Sequence, residues 1–105
     1  MPKIIKQTAG YLSAINDMTD KYTFHLEQPG LIIVGESEHK HPGKRFIYIY
    51  YNNDFTIGYF HTSCGNVEEK DNKLIFTSEH SRYEFTIDEK CIDEDTKNEI
   101  LLNLL

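Results

Sequence analysis

The residues best suited to chemistry in this chain are five histidines and two cysteines. His39-Lys40-His41 has H-x-H spacing, with Glu36 and Glu38 just upstream. In an extended segment alternate side chains point the same way, so both imidazoles could meet one zinc or nickel ion. The donor set is short, because Lys44 and Arg45 stand where a further carboxylate is needed. This loop, with His61 as an added donor, is the metal- or ligand-binding alternative for the chain. His61-Thr62-Ser63 has an H-x-S form that acts in pairs across a groove, and neither His25-Leu26-Glu27 nor His80-Ser81-Arg82 supplies the second copy. Cys64 is close to His61, but a Cys–His nucleophile also needs an orienting group and oxyanion donors. The acid pairs Glu68-Glu69 and Asp88-Glu89 and the run Asp93-Glu94-Asp95 fall in turns and at a helix start. There water and helix amides keep carboxylates ionised, which does not suit a general acid. None of the six glycines builds a phosphate cradle. The expectation is a protein without catalytic residues, resident metal or cofactor.

These residues have to be positioned by elements, and the elements show in the periodicity. At 105 residues the chain fits a single domain, 1–105. Tyr11, Leu12, Ile15 and Met18 share one helical face, which predicts an N-terminal helix over residues 8–19. The period then becomes two, with Tyr22, Phe24 and Leu26 alternating against Thr23, His25 and Glu27. Gln28-Pro29-Gly30 reads as a type II turn, with glycine at the left-handed position. Leu31-Ile32-Ile33-Val34 is apolar on both faces, as in a buried strand. Pro42-Gly43 breaks the chain before the strongest strand signal, Arg45–Tyr51, which Asn52-Asn53-Asp54 turns into a partner over 55–61. These two strands are expected at the centre of the sheet. Glu68–Asn72 reads as a polar break. Lys73–Thr77 and Arg82–Ile87 form a further hairpin around Glu79-His80-Ser81. A C-terminal helix over 94–104 has Asp93 and Asp95 at its start, capping-box spacing at Thr96 and Glu99, and Ile100, Leu101, Leu104 and Leu105 on one face. The fold class so predicted is α+β: an antiparallel meander sheet of about six strands flanked by an N-terminal and a C-terminal helix. No connection is long enough for a parallel crossover.

Charge and aromatic placement then select among functions. The formal net charge is −6, and all of it lies in residues 66–105, because residues 1–65 balance. A one-signed region of this kind repels nucleic acid and anionic membrane and steers a cationic partner. Lys40, Lys44 and Arg45 beside aromatic strands are too few to offset it for phosphate binding. Two cysteines fit reduced thiols in a cytoplasmic protein better than a disulfide scaffold, and no signal-peptide core or membrane-length apolar run occurs. Phe46, Tyr48, Tyr50, Tyr51, Phe55, Tyr59 and Phe60 crowd two adjoining strands. Tyrosine is amphipathic and enriched where a surface alternates between water and a partner. The expected partner-binding set is therefore Tyr48, Tyr50 and Tyr59 with the acids Glu84, Asp88, Asp93, Glu94 and Asp95. The expected function is a small acidic inhibitor, such as an immunity protein, an antitoxin or a phage-encoded blocker of a host enzyme, occluding a more basic protein. A homodimer through a sheet edge is compatible with it.

Overall fold

Period-two alternation accounts for most of the computed structural model of this chain, which describes residues 3–16, 26–38, 42–51, 59–79 and 81–104. The strands are β1 (Lys3–Asn16), β2 (Gly30–Glu36), β3 (Arg45–Tyr51), β4 (Tyr59–His61), β5 (Asn66–Lys70), β6 (Lys73–Thr77) and β7 (Arg82–Ile87); α1 (Glu94–Leu104) follows. They form one antiparallel sheet in the order β4-β3-β2-β1-β7-β6-β5.

The two ends of that order meet. β4 and β5 are joined through residues 62–65, and this link bonds back to β3. Thr62 N–H donates to the Ile47 carbonyl at 2.9 Å, and Arg45 and Gly65 exchange backbone bonds of 2.9 and 2.8 Å. β4 and β5 thus behave as one bent strand, held first by β3 and then by β6. The sheet closes into a meander barrel in which each strand pairs with its sequence neighbour and β7 returns to β1. Thr62 holds the bend: its buried hydroxyl accepts from Ile47 N–H at 2.9 Å and donates to the Ser63 carbonyl at 2.8 Å. Thr62→Val keeps the shape but removes that acceptor. It is expected to lower stability by about 1–3 kcal/mol in urea titration, the cost of a buried unpaired N–H. An unchanged midpoint would show that the closure does not depend on this hydroxyl.

The barrel interior is filled by Leu12, Ile32, Ile47, Ile49, Phe76 and Phe85, all fully buried, with Phe60, Leu74 and Tyr83 nearly so. β2 is buried on both faces, as its sequence predicts. Ile32 and Val34 point inward, while Leu31 and Ile33 form a second cluster outside with Ile100 of α1. α1 starts where expected, but its cap is Asp93 rather than a Thr96–Glu99 box. The Thr96 N–H donates to Asp93 Oδ1 at 2.7 Å, and the Lys97 N–H to the Asp93 carbonyl at 3.0 Å.

The expected N-terminal helix over 8–19 is replaced by strand among the described residues, so two helices do not flank the sheet. Residues 8–16 belong to β1, which pairs with β2 up to Gly10 and with β7 from Gly10 onward. A bulge between Leu12 and Ala14 shifts the pleat by one residue. Leu12, opposite Phe85, and Ile15, opposite Tyr83, therefore both face inward although they are three apart. The bulge imitates helical spacing. Two further readings change. Gly30 is the first residue of β2 and carries no positive φ; the left-handed residue there is Glu27, at φ 65°. Glycine at position 30 is required by space, because a Cβ would strike the Tyr50 carbonyl and meet the Ile49 side chain at 3.0 Å. Glu68–Lys70 is no break but part of β5, turned into β6 by Asp71 at φ 56°. The predicted strand over 22–27 and the 52–54 turn lie outside the described residues, apart from Leu26, which bridges to Leu12, and Glu27, whose N–H donates to the Leu12 carbonyl.

Candidate functional site

β3 presents alternate residues to the two sides of the barrel wall. Ile47 and Ile49 go in, so Phe46, Tyr48 and Tyr50 go out. Each of the three lies opposite a β2 residue in register: Phe46 against Gly35, Tyr48 against Ile33, Tyr50 against Leu31. Gly35 has a steric reason to be glycine, since a Cβ would sit 2.5 Å from the Phe46 ring, which lies over it. On the other side of β3, Tyr48 faces His61.

The rings form one layer. Tyr48 and Tyr50 are near-parallel with centroids 5.7 Å apart, Tyr48 and His61 near-parallel at 5.1 Å, and Phe46 meets Tyr48 edge-on at 5.6 Å. Phe46, Tyr48 and Tyr50 are half-buried and His61 is exposed. Tyr50 also packs against the outer cluster of Leu31, Ile33 and Ile100. Two of the three predicted tyrosines therefore share one outer face. Tyr59 stands opposite Tyr50 in the backbone register. Sequence reading missed His61 as a member of this layer. Its pairing with Tyr48 depends on the register of β4 against β3.

The predicted acids do not form one surface. β7 is three strands from β3 in the barrel, so Glu84 lies on the opposite wall. There its carboxylate meets Arg82 at 3.0 Å and Lys73 at 3.8 Å, a paired arrangement with little left to steer a partner. Asp88 holds the turn after β7, accepting from the Lys90 N–H at 3.0 Å. Asp93 caps α1, and the Thr96 hydroxyl and N–H that bond it hold its carboxyl below the usual range. Glu94 and Asp95 form the exposed first turn of α1, the helix whose Ile100 packs in the outer cluster that Tyr50 joins.

The alternative chemistry finds little here. His39 and His41 lie outside the described residues, and His61 is stacked on Tyr48. Among the described residues no three His, Cys, Asp or Glu side chains gather as a metal site. Burial, then Asp88, pushes the Cys91 thiol above its ordinary range, and its Sγ–H points at the Gly10 carbonyl, 3.6 Å away. That environment keeps the sulfur protonated and poorly nucleophilic. Among the described residues no helix is long and apolar enough to cross a membrane.

The arrangement is thus an amphipathic aromatic face on a filled barrel, with a helix of acidic start packed on the same wall through Ile100. No family model, curated protein or solved structure matches this chain.

Proposed function

We propose that this chain is a protein-binding inhibitor whose docking face is the outer wall of β3 and β4, centred on Tyr48 and Tyr50. The partner is a basic protein, and the chain acts by covering it. The observation that carries the reading is the near-parallel layer of Tyr48, Tyr50 and His61 on an outer wall, apart from the barrel interior. Such rings supply desolvated contact at small entropic cost, and interface hot spots are enriched in them. The acids of α1, the helix whose Ile100 shares a cluster with Tyr50, add the matching potential and accelerate encounter.

A homodimer through strand addition has less support. Lys3–Gln7 of β1 pair only with β2 among the described residues, but this stretch carries Lys3, Lys6 and a bulge between Ile4 and Lys6. Edge lysines and bulges discourage strand addition.

The test is affinity capture from the native host, with the captured protein identified by mass and its affinity then measured by titration with wild type and variants. Tyr48→Ala is expected to weaken binding roughly 30-fold, as loss of a central hot spot of about 2 kcal/mol implies. Glu94→Lys with Asp95→Lys is expected to slow association and flatten its salt dependence, while Glu84→Ala on the opposite wall changes neither. If Glu84→Ala weakens binding and Tyr48→Ala does not, the docking face is wrong.

A further inference from the structure

We infer that α1 is a displaceable strap that gates the docking face. The inference rests on the proposed docking reading for its binding half, and on the two apolar clusters for its conformational half. Among the described residues, the cluster inside the barrel contains none from α1. Strand pairing closes the barrel without it as well. α1 rests instead on the outside, where Ile100, helped by Ile92 and Leu101, covers Leu31 and Ile33. Leu102, on the next position, is 72% exposed.

What the strap covers is continuous with what it leaves open. Leu31 lies opposite Tyr50 and Ile33 opposite Tyr48, so the covered stripe of β2 and the aromatic row of β3 are neighbouring rows of one wall. With α1 seated, a partner meets the tyrosines alone. With α1 lifted, Leu31 and Ile33 join them. The hinge is defined on its barrel side. Asp88 N–H donates to the Ala9 carbonyl at 2.9 Å, Cys91 N–H to the Asp88 carbonyl at 3.1 Å, and the Thr8 hydroxyl to the Glu89 carboxylate. The chain is therefore pinned as far as Cys91, and opening pivots after it. An element whose packing is separate from the main core opens sub-globally, below the free energy of full unfolding.

Hydrogen exchange on the full chain tests the conformational half. Amides of α1 are expected to be protected at least about tenfold less than those of β1 and β2, because they exchange through the smaller opening. Ile100→Asp, which puts a charge against Leu31 and Ile33, should abolish α1 protection and leave that of the barrel strands in place. Exchange of α1 and the barrel at one common rate, or loss of barrel protection in Ile100→Asp, overturns the strap. Titration of the captured partner tests the gating. Ile100→Asp is expected to tighten binding by about tenfold, since it removes the cost of opening from the apparent affinity. Unchanged or weaker binding by a variant whose barrel stays protected overturns the gate. The docking reading is judged separately, by Tyr48→Ala.

Discussion

Phe85→Ala is expected to remove about 3–5 kcal/mol of stability, the usual cost of truncating a fully buried phenylalanine. Small domains hold only about 5–15 kcal/mol in total, so the variant sits at or near the edge of folding. The reason is where the ring lies. Phe85 is fully buried, pairs with Leu12 of β1 on one side and Leu74 of β6 on the other, and its ring is 6.2 Å from that of Phe60. One side chain thus touches staves from three parts of the barrel. Truncation opens a void that the closed wall cannot collapse to fill. Urea unfolding followed by circular dichroism measures it, and a loss below about 1 kcal/mol would mean that no shared interior exists.

Gly10→Val carries the second large effect, and its sign is the informative part. Strand propensity alone ranks valine above glycine by up to about 1 kcal/mol, which would make the change stabilising. Position 10 reverses this. Gly10 is the residue at which β1 passes from one partner to the other, paired with Gly30 on one side and Ile87 on the other. A Cβ there would run into the Thr86 carbonyl oxygen and lie 2.7 Å from the Ile32 side chain. Backbone cannot yield as a side chain does, so the strand must shift away from β7. The expected loss is roughly 3 kcal/mol, at the upper end for overpacking. A thermal midpoint equal to or above that of wild type would rule out the close approach of β1 to β7.

The two variants separate what local sequence encodes from what the closed barrel imposes. The hairpin of β6 and β7 was legible because Tyr83 and Phe85 alternate with Glu84 and Thr86 and a polar turn precedes them. β3 was legible from Arg45–Tyr51, although β4 and β3 stand first and second in the strand order and not at its centre as expected. β2, apolar at every position from 31 to 34, was legible as a strand buried on both sides. α1 showed itself through its acidic start and apolar face. β1 was not legible, because a bulge places Leu12 and Ile15 on the same side at helical spacing. β5 was not legible either. Of Asn66–Lys70 only Val67 is apolar, so its strand state depends on β6 beside it and on the bend that Thr62 and Gly65 allow.

The candidate face follows the same division. That Tyr48 and Tyr50 share a side of one strand is a consequence of the pleat, and residue order alone determines it. So are the excess of acids in residues 66–105 and the readiness of Asp93 to start a helix. Which side of β3 meets water and that Glu84 stands on the far wall were decided by closure of the barrel, and the pairing of β4 with β3 brings His61 to Tyr48. Closure joins β7 to β1 and Gly65 to Arg45 across long stretches of chain. Periodicity reports only a residue's immediate neighbours, whereas such pairings are chosen by the burial they achieve together.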